Sequence, residues 1–369
     1  MIYITDYRLA STQKAELLDD LLYPQKVHWF PESYSRVQSG MFYPPHRVAE
    51  KVLDPELMKE LRENPVGKTA FILAAGNSHF AGINPRNRPA NRLTYNYKFL
   101  PFTLTQVYAG RIAQSCGATD MILTDATACA SSLKVMMDVK NLIDNMGFNR
   151  VVVLTVEDQV SNSVLDFFGE SRASLTWDEE TKTSTKPSAF DEVNHGFYVA
   201  QGAAFAVFES AQVARRSCGR LYGAYTASES CSNAIGQRED GEGFKRAIEG
   251  ALFTAGSKAK HVSMVKTHGT GTKSNNVAER AALEDTLHNF LATSYKPTIG
   301  HTMGASGLLE TCTMLEEIRK DNKISGIKNR TSPDERYLAQ DVEAPKGLIL
   351  SLAAGMGNVY SAAVLSAEV

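Results

Sequence analysis

The alternation of buried-strand and amphipathic-helix patterns is the feature that most narrows what this chain can fold into. Residues 69–75 (TAFILAA) form an unbroken apolar run of strand length. Residues 103–116 read as a helix ending near Gly117, and residues 120–124 (DMILT) as a strand running into the turn TDATACASS. From Ser131 to Met146 the apolar residues Leu133, Met136, Met137, Ile143 and Met146 recur at helical spacing, with Gly147 placed as the C-cap. Strands are expected at 151–155, 203–208, 348–352 and 361–366. Such alternation predicts β-α-β units and a largely parallel sheet. Between about 156 and 196 the chain turns glycine-rich and polar, and ESRASLTWDEETKTSTKPS reads as a surface excursion. Two halves of similar design, meeting near residue 210, are compatible with this pattern.

Composition narrows the function. The 369 residues are 43% hydrophobic and 22% charged, which suits a globular chain able to bury a core without disulfides or metals. A net charge of −2 gives no reason to expect a nucleic-acid or membrane-surface binder. Cys116, Cys129, Cys218, Cys231 and Cys312 make an odd number with no C-x-x-C pair. That favours a reducing compartment over a disulfide framework or a zinc site. Asp6 and Arg8 interrupt the N-terminus before an apolar leader could form, and no run reaches the ~20 apolar residues of a membrane helix. A cytoplasmic α/β enzyme is the expectation.

Four motifs carry chemistry. In TDATACASSL (124–133), Cys129 follows a strand and opens a helix. Free N–H groups there are expected to lower a thiol pKa and to hold an oxyanion. The small neighbours Ala128, Ala130, Ser131 and Ser132 should leave room for an incoming group. In KTHGTGTKSNNVAERAAL (266–283), His268 follows the apolar VSMV strand and sits in a glycine–threonine turn. Thr272 stands where a phosphate loop needs glycine before its lysine, which rejects that alternative. In KPTIGHTMGASGLLETCTML (296–315), His301 precedes a small-residue turn and an apolar helix, and AAGMGN (353–358) is a glycine-rich turn between strands. Each motif alone also fits a structural residue: a buried cysteine, a satisfied loop histidine, a hairpin loop.

In this order the motifs resemble the β-ketoacyl synthase family, and AFDEVNHGFYVAQGAAFAVFES (189–210) resembles a further stretch of it. The resemblance runs from about residue 103 to the end and is poor before that. It implies an α/β chain of thiolase fold, with two related halves (1–210 and 211–369) in a five-layered α-β-α-β-α body. It implies Cys129 as acyl-accepting nucleophile, His268 and His301 as catalytic histidines, and Lys296 and Glu279 as a supporting ion pair. Thr270 and Thr272 would bind a phosphopantetheine arm, the N–H of Ala354 would complete the oxyanion hole with that of Cys129, and Asn358 would be a further substrate-binding residue. The implied reaction is decarboxylative Claisen condensation of a Cys129-bound acyl group with a malonyl unit, in fatty-acid or polyketide-type synthesis. No cofactor is permanently bound; the phosphopantetheine of acyl carrier protein, or coenzyme A, carries the substrate. The implied partners are acyl carrier protein and a second ketosynthase-like subunit, in a homodimer or heterodimer. Arg86, Arg88 and Arg92 are candidates to greet the acidic carrier.

Two departures keep other readings open. The family's C-terminal turn is GFGGTN; here Ala354 takes the phenylalanine position that gates the cysteine. The usual acidic position in the histidine loop is Asn276. Acyl transfer without decarboxylation is one alternative. A non-catalytic, chain-length-factor-like subunit is another, though such partners usually lack the cysteine that this chain keeps.

Overall fold

The computed structural model describes residues 1–11, 49, 52–76, 105–157, 167–171, 173–175, 186–229 and 237–367. Arg86, Arg88, Arg92, Cys231 and much of the expected surface excursion lie outside the described residues.

In the first half, strand β1 (Ile2–Ser11) precedes helix α1 (Pro55–Glu63), strand β2 (Thr69–Ala74) and helix α2 (Thr105–Cys116). Strand β3 (Met121–Asp125) then leads to helix α3 (Ser131–Asp144), β4 (Arg150–Glu157) and β5 (Gly202–Ser210). The second half runs β6 (Gly219–Ser228), α4 (Glu242–Thr254), β7 (Val262–Lys266), α5 (Lys273–Thr286) and β8 (Leu291–Thr293). It continues with the short α6 (Lys296–Ile299), α7 (Ser306–Asp321), β9 (Lys323–Ile324), β10 (Val342–Glu343), β11 (Leu348–Gly355) and β12 (Val359–Ala367).

Local chemistry explains where these elements start and stop. Asp54 caps α1 by accepting from the Glu56 and Leu57 N–H groups, and Pro55 sits at N1, where a missing N–H costs nothing. Helix α3 ends at Asp144, short of the expected Met146. The Asn141 carbonyl takes the N–H of both Asn145 and Met146, which unwinds the last turn and leaves Met146 exposed.

Ten strands make one sheet in the order β3-β2-β4-β5-β1-β6-β12-β11-β7-β8. Read outward from the β1–β6 seam, the second five strands repeat the order of the first five. The halves meet along β1 and β6 through three antiparallel residue pairs: Ile2 with Leu221, Tyr3 with Arg220 and Ile4 with Gly219. The expectation of a largely parallel sheet is corrected here. Only β2 with β3, β2 with β4, β7 with β8 and β7 with β11 run parallel. The five pairings between β4 and β11 are antiparallel, because β1, β5, β6 and β12 meet their neighbours head to tail. The sequence reading had no strand at β1 or β6, so it lacked the central pair.

Side-chain alternation along the strands builds the layers. In β2, Phe71 and Leu73 face α1 and α2 in one apolar cluster, while Ala70, Ile72 and Ala74 face α3. In the second half, Leu350, Leu352, Ala362 and Val364 pack on α4 and α5. The opposite faces of both halves share a third cluster with α3 and α7. Helices α3 and α7 are therefore the filling between two sheet halves, each covered outside by its own helix pair. This is the five-layered arrangement implied by the family resemblance. No helix among the described residues is long and apolar enough to cross a membrane.

Candidate active site

The site lies where the two central helices begin. Each starts with a one-turn 3₁₀ segment, Ala128–Ala130 before α3 and Met303–Ala305 before α7. The first residue of each is left-handed although it is not glycine: Ala128 has φ 49° and Met303 φ 45°. Such strain persists only where surrounding packing enforces it. The two turns press on each other and on the end of β2. A Cβ on Gly304 would sit 2.1 Å from the Gly76 nitrogen. The Ser132 hydroxyl accepts the Leu308 N–H at 3.0 Å, tying α3 to α7. Ala130, Ser131 and Ser132 are wholly buried. Their small size thus serves the close approach of two helices, rather than space for a ligand as the sequence suggested.

Cys129 is 7% exposed and sits in an apolar cluster with Phe168, Phe197, Val199 and Met303. Its Sγ lies 4.0 Å from Met303 Sδ. Burial pushes the thiol up to about 12, against the pull of Lys296. The direction is opposite to the lowered thiol expected from the sequence, because loss of hydration is the largest influence on this sulfur. Cys129 rests as a thiol, so its activation requires a base.

His268 and His301 come together from different elements, with ring centroids 5.7 Å apart and nearly perpendicular planes. His301 is pinned by its backbone N–H, which donates to Tyr198 O at 2.7 Å, and by a 2.9 Å hydrogen bond between Nδ1 and Ser306 Oγ. Phe197, from the cluster around Cys129, meets the His301 ring edge-on at 4.8 Å. His268 Nδ1 has no hydrogen-bond partner among the described residues. Both histidines are held well below the usual imidazole value, first by burial and then by Lys296. Both are therefore neutral at physiological pH.

The expected Lys296–Glu279 ion pair is not what forms. Lys296 Nζ bonds Glu310 Oε1 at 2.8 Å, and Lys266 Nζ bonds Glu310 Oε2 at 3.1 Å, all three side chains being buried. Glu279 instead accepts the backbone N–H groups of His268 (2.5 Å) and Gly269 (2.9 Å) and the amide of Asn275 (2.9 Å). Helix α5 carries Glu279 under the histidine loop, so the carboxylate shapes the loop while Glu310 on α7 neutralises charge. Sequence reasoning missed Glu310 and Lys266. The available signal was a carboxylate on the apolar face of α7 and a lysine ending the apolar strand β7, neither of which has solvent to reach.

The remaining expected residues gather nearby. Thr270 and Thr272 hydroxyls lie 3.0 Å apart at the start of α5. Ala354 is buried at the end of β11. The next residue, Gly355, touches the cysteine turn: a Cβ there would be 2.6 Å from Thr127 O and 3.3 Å from the Cys129 nitrogen. Only glycine lets the strand end come this close to the Cys129 amide. Asn358 is left-handed (φ 56°), buried, and its Nδ2 has no partner among the described residues. Among the same residues, no group of three or more His, Cys, Asp or Glu side chains could hold a metal ion.

Comparison with known proteins agrees with this architecture. The model of the β-ketoacyl synthase N-terminal domain matches residues 50–214, and that of the C-terminal domain matches residues 218–324. The match therefore begins earlier than the motifs alone could carry it. The oxytetracycline polyketide β-ketoacyl synthase 1 of Streptomyces rimosus is 28% identical over 74% of this chain and 65% of its own length. The 3-oxoacyl-[acyl-carrier-protein] synthase 2 of Staphylococcus aureus is 25% identical over 64% of this chain and 59% of its own length. The chain thus spans less than two thirds of these curated relatives. A solved type II polyketide acyl-carrier protein in complex with its ketosynthase bound to the hexaketide matches in fold, with TM-score 0.77 and 16% identity over 100% of this chain and 99% of that one. Two family domains in sequence, on a thiolase fold, place this chain in the β-ketoacyl synthase family.

Proposed function

We propose that this chain condenses a Cys129-bound acyl group with a malonyl unit presented on acyl carrier protein. The observation that carries the reading is the convergence of a buried thiol with two neutral, differently anchored imidazoles beside it. In the first step the Cys129 sulfur attacks an acyl thioester; its proton passes to a neutral imidazole of the pair and from there to the carrier sulfur, which departs as the thiol. In the second step a malonyl thioester loses CO₂, and the electron pair left behind becomes an enolate. A neutral imidazole keeps one ring N–H to donate to such an oxygen. For that task the ring proton must sit on His301 Nε2, the tautomer in which the Ser306 hydroxyl donates to Nδ1. The enolate carbon attacks the acyl carbonyl, the carbon–sulfur bond breaks, and Cys129 is regenerated. The backbone N–H groups of Cys129 and Ala354 would hold the tetrahedral oxyanion. Thr270 and Thr272 would hold the phosphopantetheine arm, and Asn358 would order the turn after Ala354. The carrier's prosthetic arm, or coenzyme A, is thus substrate rather than cofactor.

A partner subunit fits the sheet. Strand β3 is its end strand, hydrogen bonded only to β2 among the described residues, and Met121, Ile122 and Leu123 are only partly buried. An unpaired edge of this kind is a template for another chain. A homodimer or a heterodimer with a second ketosynthase-like subunit would cover it. A cytoplasmic location suits the chemistry and the free cysteines.

The test is incubation with acyl and malonyl carrier-protein thioesters, following CO₂ release. The wild type should release CO₂ and form the β-ketoacyl product, while Cys129→Ala should lose condensation by about a thousandfold or more. Condensation surviving in Cys129→Ala would sink the proposal, and acyl loading without CO₂ release would favour simple acyl transfer.

A further inference from the structure

Two buried lysines share one buried carboxylate beside the histidines. Lys266 Nζ lies 3.1 Å from Glu310 Oε2 and donates to the Leu352 carbonyl at 2.7 Å, while Lys296 Nζ holds Glu310 Oε1 at 2.8 Å. Lys266 and Glu310 are 0% exposed and Lys296 1%. The other buried carboxylate of the region, Glu279, is committed to two backbone N–H groups and Asn275. One lysine would be enough to pair Glu310. A second ammonium in a dry interior is costly, and a fold keeps such an expense chiefly where it does something. Lys266 is the last residue of β7, two residues before His268, so its charge is held rigidly against the histidine loop.

We infer that Lys266 is a positioning residue whose ammonium charge keeps His268 and His301 unprotonated in acid as well as neutral solution, so that an imidazole of the pair remains able to accept the Cys129 proton. It acts through the field of the Lys266–Glu310–Lys296 cluster and does not touch the reacting atoms. The charged groups facing the histidines from the surrounding elements are Lys266 on β7, Lys296 on α6, Glu310 on α7 and Glu279 on α5, besides each ring facing the other. Glu157, at the end of β4, faces Cys129 instead. The direction of the histidine shifts agrees, since Lys266 and Lys296 both disfavour imidazolium at both rings. The ammonium leans on its neighbours for its own charge: burial brings Lys266 down to about 8, against the pull of Glu310. Its influence therefore belongs below about pH 8, where imidazole protonation would otherwise intrude.

The inference rests on the proposed roles of His268 and His301, but its test need not. Lys266→Gln keeps a donor for Glu310 and Leu352 and removes the charge; Lys266→Met removes both. Ring titrations would be followed by NMR of ¹³C-labelled histidine, each resonance assigned by its loss in His268→Asn or His301→Asn. Both Lys266 variants should move both ring titrations up by about one pH unit, because only the charge is common to the two substitutions. The ratio of condensation rates at pH 5.5 and pH 8 should fall about threefold in both variants relative to wild type. Ring titrations that stay put in both variants overturn the inference. So does a shift in Lys266→Met that Lys266→Gln does not show, which would assign the effect to the hydrogen bonds. Should condensation itself not be found, the ring titrations still decide the role of Lys266, while the proposed reaction falls separately.

Discussion

Glu310→Gln should destabilise the protein by about 3–5 kcal/mol, because it removes the one carboxylate bonded to two buried ammonium groups. The amide keeps the volume, so packing is not the cause of the loss. What changes is that Lys266 and Lys296 face each other without an anion in an interior where water cannot screen them. Chemical denaturation would show a lower midpoint at unchanged slope. A second variant separates charge from shape. Replacing all three at once (Lys266→Met, Lys296→Met and Glu310→Leu) should recover most of the stability, since apolar groups of similar volume can replace a buried ionic cluster at little cost. That triple variant should still condense poorly, having lost the field around the histidines. A Glu310→Gln protein within about 1 kcal/mol of wild type would mean that the lysines are not both charged in the folded state.

Gly304→Ala should be nearly as damaging for a different reason. Its added carbon would lie 2.1 Å from the Gly76 nitrogen and 2.7 Å from the Gly76 Cα, which are backbone atoms that cannot swing aside. The turn that starts α7 would have to retreat from the end of β2 and from the cysteine turn. Overpacking of this severity costs about 3 kcal/mol or more. It should also slow acyl loading, because Met303, next in the chain, packs against Cys129. The same substitution at Gly110, within α2, should be neutral or stabilising by up to about 1 kcal/mol. Nothing lies within 4 Å of its added carbon, and alanine is the better helix former. Thermal or denaturant unfolding of the two variants side by side checks both signs.

Local pattern carried much of the fold. Segments with strong apolar runs, such as 69–74 and 150–157, were legible as strands because both faces are buried. Strand β1 was not, because IYITDYRLAS mixes charged residues into its alternation, and its role emerges only when it pairs with β5 and β6. Missing it also hid the antiparallel centre of the sheet. In the site, Cys129, His268 and His301 were found through ordered motifs, and the structure brings all three into one buried region. Glu310 escaped notice because its partners lie 14 and 44 residues away in sequence, and only the stacking of α7 against β7 and α6 joins them. The thiol was misjudged because the helix start is visible in sequence whereas Phe168, Phe197 and Met303 around the sulfur are not.

The central claim is that Cys129 carries the acyl chain. Intact-mass and peptide-level mass spectrometry after brief incubation with an acyl carrier-protein thioester tests it most directly. The account predicts one acyl group per chain, on the peptide containing Cys129 and not on those containing Cys116, Cys218, Cys231 or Cys312, with discharge when malonyl carrier protein is added. An unmodified Cys129, or an acyl group on another residue that malonyl carrier protein discharges, would contradict it.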